Sequence, residues 1–312
     1  MTPQRVFYLN ISLTEIPNSG LKYPNFLLYY VKRSDKIILI DNNQIILSSI
    51  FTAAKSAETE EDYGFIRHLV LNTYRKYISK FRSDYGELIV CNDSKNVWRK
   101  DFFPNYKKNR SDRQKKSKYD WGKIFNELHT IREEMKGVFP YRFIQVERAE
   151  ADDVIATIVK NFHHKEKIMI VSSDKDFQQL QRYPNVKQYS PTKKGLLKCD
   201  DPHEFLLDHI VRGDSSDGVP NALSDDAVFV EGRRQTRLTN KKIAELKEVG
   251  FIQEGNFMER NQRLIDLTHV PDYIQEETMR QMETEISGDR SKILEYMMKY
   301  RLRNLIEHLE EF

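Results

Sequence analysis

Short apolar runs rich in Ile, Leu and Val alternate along residues 36–200 with longer stretches in which apolar residues recur every three or four positions. KIILID (Lys36–Asp41), GELIVCND (Gly86–Asp93), YRFIQVE (Tyr141–Glu147) and KIMIVSSD (Lys167–Asp174) read as buried strands. Residues 63–81, WGKIFNELHTIREEMKGV (Trp121–Val138) and EADDVIATIVKNF (Glu150–Phe162) carry helical spacing. This alternation predicts an α/β fold with a mostly parallel sheet and flanking helices. From Asp201 the strands fade, and polar helical stretches such as SKILEYMMKYRLRNLIEHLEEF (Ser291–Phe312) take over. The pattern predicts three parts: an N-terminal arm (1–35) with three of the ten prolines and at most one short strand, an α/β domain (36–200), and a smaller, mainly α C-terminal domain (201–312). No internal repeat or low-complexity tract is visible.

Of the 312 residues 39% are hydrophobic, enough for one large core or two smaller ones. Two cysteines, Cys91 and Cys199, give neither a disulfide framework nor zinc spacing, which points to a reducing cytoplasm. The early apolar run FLLYYV (Phe26–Val31) is too short for a membrane span, so no membrane association is expected, and a monomer is the simplest state. The net charge is only +3, but it is unevenly placed. Between Lys95 and Lys118 ten Lys/Arg face two Asp, a local +8 that leaves −5 for the rest. A cationic block beside anionic clusters suits a protein that grips a polyanion while holding metal ions.

Asp41, Asp93 and Asp174 stand at the carboxyl ends of predicted strands. Glu150, Asp152 and Asp153 follow another strand, Asp176 follows Asp174, and Asp214 and Asp217 form an acidic turn in RGDSSDGVP. In an open parallel sheet that edge is where ligands bind. Any one of these acids alone reads first as a helix cap or a first-turn acid. Capping does not require E-x-D-D, D-x-D and D-x-x-D together, and so many carboxylates repel one another unless cations sit among them. An all-oxygen set fits Mg²⁺, with Mn²⁺ as a substitute, rather than zinc, and the number of acids suits two ions. Two such ions can activate a water and stabilise a leaving oxygen in phosphodiester cleavage. The eight histidines are scattered, and His163–His164 reads as a solvated turn.

The basic block WRKDFFPNYKKNRSDRQKKSKYDW interleaves Trp98, Phe102, Phe103, Tyr106, Tyr119 and Trp121 with cations. Lys107 and Arg110 are three apart and would share a helix face. They are candidates to offset charge on a scissile phosphate, with Tyr106 stacking on a base and Lys115, Lys116 and Lys118 gripping phosphates. The competing view is a solvated charged loop. A second basic stretch, EGRRQTRLTNKKIAELK (Glu231–Lys247), could touch a duplex backbone.

AEADDVIATIV, VSSDKDFQQL, FPNYKKNR and RGDSSDGVP, in this order, resemble the 5′-nuclease family of flap endonucleases and 5′→3′ exonucleases, and WRKDFFPNYKKNR and YPNVKQYSP are similar to its T-even bacteriophage members. The resemblance implies a PIN-like nuclease domain with a helical bridge (residues 95–120) over the active site. It implies two Mg²⁺ ions, and action on RNA–DNA hybrids and on 5′-flap or forked DNA, including ribonuclease H activity. It also implies removal of RNA primers from lagging-strand fragments during phage DNA replication in the infected cell. The first metal group implied is Asp41, Asp93, Glu150 and Asp152; the second is Asp174, Asp176 and Asp217 with Asp214 nearby. Tyr106, Lys107, Asn109 and Arg110 match the family's Y-K-x-N-R, with Arg99 before them. Phage members contact a sliding clamp or a single-strand DNA-binding protein, and those partners carry over as expectations. The short spacing in VCNDSKNVWR leaves Asn92 or Asp93 for the second-strand ligand. SDGVPNALSDDAVF lacks the glycines of the family's helix–hairpin–helix.

Two other readings compete: a non-catalytic nucleic-acid binder of the same fold, and a phosphatase using strand-end acids. The latter needs D-x-D after the first strand, where this chain has DNNQ.

Overall fold

The strand Lys36–Asp41 (β1) is the centre of a six-stranded sheet in the computed structural model, which describes residues 36–56, 63–249, 256–286 and 289–312. Helices Asn42–Ser56 (α1) and Tyr63–Tyr85 (α2) follow, then strand Glu87–Asn92 (β2). The basic block forms two short helices, Arg99–Phe102 (α3) and Lys108–Lys115 (α4). Helix Trp121–Val138 (α5), strand Arg142–Gln145 (β3), helix Ala151–Phe162 (α6) and strand Lys167–Val171 (β4) come next. A 3₁₀ segment (Lys175–Arg182) leads to strands Val186–Ser190 (β5) and Gly195–Leu197 (β6). The rest is helical: Pro202–Arg212 (α7), Asn240–Val249 (α8), Met258–Ile265 (α9), Asp272–Glu283 (α10), Arg290–Lys299 (α11) and Arg303–Ile306 (α12).

The sheet order is β3-β2-β1-β4-β5-β6; the first five strands are parallel and β6 returns antiparallel to β5. The mostly parallel α/β sheet with flanking helices and a helical C-terminal part is thus as the alternation predicts. β1 pairs with β2 on one side and β4 on the other, so its carboxyl end, Asp41, lies where the chain changes direction across the sheet. That crevice is the general ligand position of such sheets.

β1 shows the period of two expected of a strand covered on both faces. Ile38 and Ile40 join α1, α2 and α5 in one core, while Ile37 and Leu39 join α6 and α10 in another. A third core draws Val97, Phe103 and Tyr106 of the basic block against Ile210, Val219, Ile243 and Leu264.

Several elements differ from expectation. Residues 42–56, without a predicted element, form α1, because Ile45, Ile46 and Ile50 fall on one buried face. Strands β5 and β6 have no predicted counterpart, and the segment after Asp174 winds as a 3₁₀ helix. The final stretch returns to the first core, where Ile293, Tyr296, Met297, Leu302 and Phe312 are buried. The expected N-terminal arm and FLLYYV lie outside the described residues. Among the described residues no helix is long and apolar enough to cross a membrane.

Candidate active site

The carboxyl edge of the sheet gathers the acids from five chain segments. Asp41 ends β1, nine-tenths buried, with Oδ2 accepting from the Ser172 hydroxyl at 3.1 Å. Asn92 is turned inward: its amide donates to the Val90 and Ile144 carbonyls and its Oδ1 accepts from Asn42. Asp93 is the residue that faces the other acids. Its oxygens accept from Asn43 Nδ2 at 2.5 Å and from the Ala151 backbone N–H at 2.7 Å, which fixes it against the start of α6.

Glu150, Asp152 and Asp153 stand together at the N-terminus of α6 but have different surroundings. Asp153 is sealed from solvent; its Oδ2 accepts from Trp98 Nε1 at 3.1 Å, from the Glu150 backbone N–H at 2.9 Å and from Arg99 Nη1 at 3.0 Å, while Oδ1 is ion-paired with Arg99 Nη2 at 2.8 Å. Glu150 accepts from Arg99 at 2.9 Å and the Tyr106 hydroxyl at 3.0 Å, and pairs with Lys107. Asp152 lines the pocket with Asp176, Asp214, Asp217, Arg99 and Tyr106.

The second group sits on the 3₁₀ segment and the turn after α7. Asp174 caps the segment, accepting from the Asp176 N–H at 2.9 Å. Asp214 opens the acidic turn at the end of α7, and its Oδ1 accepts from the Ser216 N–H at 2.8 Å. Asp217 accepts from the Tyr106 hydroxyl at 3.0 Å and pairs with Arg110. Gly213, which joins α7 to this turn, has φ +69°, and a Cβ there would fall 2.4 Å from the Pro220 carbonyl oxygen.

The electrostatics split the acids into two classes. Lys107 and Arg99 overcome burial and hold Glu150 down at about 2, and His209, Ser216 and Lys175 hold Asp214 well below the usual carboxylate range. By contrast, burial followed by the neighbouring Asp93 raises Asp41 to about 7, and burial followed by Asp174 raises Asp176 to about 7. Burial, then Glu150, raises Asp93; burial, then Asp174 and Asp41, raises Asp152 well above its ordinary value. These four acids are buried among other acids along the same sheet edge without enough positive charge, and hard divalent cations match that oxygen-rich donor set.

The basic block is placed differently from its sequence reading. Tyr106 is 4% exposed and packed in the third core, so its ring is not open to stack on a base; its hydroxyl instead links Glu150 and Asp217. Lys107 is not on a helix with Arg110: its φ is +58°, it precedes α4, and its N–H donates to the Asp217 carbonyl at 2.7 Å. Both cations nevertheless converge on Asp217. Arg99 is buried and bonds the Leu264 carbonyl at 2.9 Å besides its two acids. One residue escapes the sequence reading. His209, on α7, is 6% exposed and sits between Asp176 (Nδ1 to Oδ1, 3.3 Å) and Asp214 (Nε2 to Oδ2, 3.2 Å). Its position five residues before Asp214 is the available signal.

Residues 36–205 match the model of the 5′–3′ exonuclease N-terminal resolvase-like domain, and residues 204–312 that of the T4 RNase H C-terminal region. The chain belongs to the 5′–3′ exonuclease family. Like the family it is a nuclease, a phosphodiester hydrolase. It is 33% identical to Ribonuclease H of Enterobacteria phage T4 over 292 residues, 88% of this chain and 95% of that protein. It is 28% identical over 200 residues to a 5′–3′ exonuclease of Buchnera aphidicola, 61% of this chain and 66% of that one. Among solved structures, this family member shares its fold with a bacteriophage T5 flap endonuclease in a pseudo-enzyme-product complex with DNA and metal ions. The TM-score is 0.55 at 18% identity, covering 79% of this chain and 98% of that one.

Proposed function

We propose that the chain is a divalent-metal-dependent 5′ nuclease acting on RNA–DNA hybrid and 5′-flap or forked DNA, with removal of lagging-strand RNA primers in phage replication as its task. The observation that carries this reading is the set of under-compensated acids, Asp41, Asp93, Asp152 and Asp176, with Lys107 near enough to act on Asp93 and Asp152 and both Lys107 and Arg110 paired with the adjoining Asp217. Asp41, Asp93, Glu150 and Asp152 form the first candidate metal group, and Asp174, Asp176 and Asp217 the second. Mg²⁺ is the proposed ion, and Mn²⁺ a substitute; when bound, such ions activate water and neutralise the leaving oxygen. The T4 and T5 relatives, named as a ribonuclease H and a flap endonuclease, support the substrate class.

Within the chain, Lys107 and Arg110 stand at the pocket to hold the phosphate and offset the charge that builds on it. Arg99 and Asp153 are positioning residues that fix Glu150 and the start of α6. Tyr106 sets the spacing between Glu150 and Asp217 through its hydroxyl. Residues 201–312 would grip duplex backbone, with exposed Arg234, Arg237, Lys241 and Lys242 as the contacts.

The test is cleavage of a 5′-labelled RNA–DNA hybrid and a 5′-flap, with and without Mg²⁺, by the wild type and by Asp152→Asn and Asp174→Asn. The expected result is metal-dependent short products from the wild type only, with hybrid binding retained by both variants. Near wild-type cleavage by either variant would remove that residue from the metal set and overturn the assignment.

A further inference from the structure

His209 presents two different nitrogens to two acids. Nε2 lies 3.2 Å from Asp214 Oδ2 and makes a hydrogen bond there, while Lys175 Nζ holds the same oxygen at 3.1 Å. Nδ1 lies 3.3 Å from Asp176 Oδ1, but the approach is not that of a hydrogen bond, and both atoms are buried without a partner. The Phe205 ring, 5.8 Å away, packs against the imidazole and restrains its plane. With Nε2–H donated to Asp214, Nδ1 carries a lone pair, so two acceptor atoms face each other where a proton or a cation belongs. Carboxylate to imidazole N–H, with the other nitrogen free, is the arrangement that metal-ligating histidines adopt. Two donors each about 2.1 Å from one ion and 3.3 Å apart subtend about 104°, within the span of tetrahedral to octahedral coordination.

We propose that His209 Nδ1 and Asp176 Oδ1 are adjacent ligands of one divalent ion, so that the second metal group contains a nitrogen donor oriented by Asp214. The inference rests on the reading that this pocket holds divalent ions. It changes the chemistry of that group. An imidazole shifts preference towards transition metals, Co²⁺ more than Mn²⁺, and away from Mg²⁺, which prefers oxygen. Asp214 then acts through the histidine, and Lys175 compensates its charge.

The test uses Mn²⁺ alone, added to the metal-free full chain. Pulsed EPR of the wild type is expected to show ¹⁴N coupling from a directly bound imidazole, and calorimetry to show Mn²⁺ preferred over Mg²⁺. In H209Q the coupling disappears, Mn²⁺ binding at one site weakens by at least about 10-fold, and the preference over Mg²⁺ shrinks. In D214N the coupling persists while affinity falls. Should H209Q fail to fold, the wild-type spectrum alone decides. Bound Mn²⁺ without ¹⁴N coupling, or H209Q with unchanged binding, would leave His209 as an imidazolium bridge between two acids and overturn this inference; metal-dependent cleavage would stand. No Mn²⁺ uptake and no metal-dependent cleavage by the wild type would remove the parent reading as well.

Discussion

Arg99 and Asp153 form an ion pair with Nη2 2.8 Å from Oδ1, both side chains at most 3% exposed, and Arg99 lines the pocket beside the carboxylates. The pair belongs to the scaffold of the site, since Trp98 and the Glu150 backbone occupy the other Asp153 oxygen. Removing one partner strands a buried charge, which costs about 3–5 kcal/mol. Arg99→Met and Asp153→Ala should each lower the unfolding free energy by about that amount in urea titrations. A loss of activity at unchanged stability would instead make them direct participants in the reaction.

Asp152 should behave in the opposite way. Its carboxyl is raised well above the ordinary value by burial and by Asp174, Asp41 and Glu150, so its ionised form weakens the metal-free fold. Asp152→Asn is expected to raise the Tm of the metal-free protein at pH 8 while abolishing cleavage. Differential scanning calorimetry in EDTA checks the first part; a lower Tm would show that the carboxylate is compensated in the free protein.

The stability of the metal-free protein should depend on pH with a definite sign. Asp41 and Asp176 lie at about 7 when folded, against an ordinary 3.8. The folded state therefore holds their protons more tightly, and this contribution is fully present below pH ~4 and is lost as pH rises through about 7. Divalent ions offset the ionised forms. The Tm difference between Mg²⁺ and EDTA samples should therefore widen from pH 5 to pH 8, and a constant difference would contradict it.

Gly213 carries φ +69° and ψ −174°, and any Cβ would meet the Val219 and Pro220 carbonyls. Gly213→Ala should cost at least about 3 kcal/mol, from strain plus overlap. Since this residue joins His209 to Asp214, Mn²⁺ affinity should fall with it. Chemical unfolding and calorimetry measure both; a neutral substitution would mean that the turn can adopt another path.

Arg234 and Arg237 are exposed in the irregular segment that precedes α8. If they bind phosphates, replacing both by Ala should reduce the slope of log K against log salt by about 0.9 for each phosphate no longer neutralised, with turnover at saturating substrate little changed. Fluorescence anisotropy with forked DNA at several salt concentrations measures the slope. An unchanged slope would place the duplex elsewhere.

How much of the fold and site is legible in the sequence follows from how local the causes are. β1 and Asp41 are legible because a β-branched run ending in an acid is a short-range signal. The acids after Glu147 are legible as a cluster, but not their separate surroundings. Asp153 differs from Asp152 only because Arg99, some fifty residues earlier, is buried against it. Tyr106 reads as exposed among lysines because its partners, Ile210 and Leu264, come from a core assembled a hundred residues later. His209 sits in PHEFLLDHIVR, which reads as an ordinary amphipathic helix until the 3₁₀ segment packs beside it. The return of Phe312 to the first core has no local signature at all.

That return sets the order in which the molecule can mature during synthesis. Tyr74, Phe139 and Tyr141 are made early, yet the wall that covers them includes Tyr296, Met297, Leu302 and Phe312, which are made far later. A nascent polypeptide halted after the acidic turn would carry every proposed ligand and still present an open greasy flank. Competence for cutting nucleic acid should therefore arise only after residues 293–312 have been made, and chaperone engagement of stalled chains should cease once they have emerged.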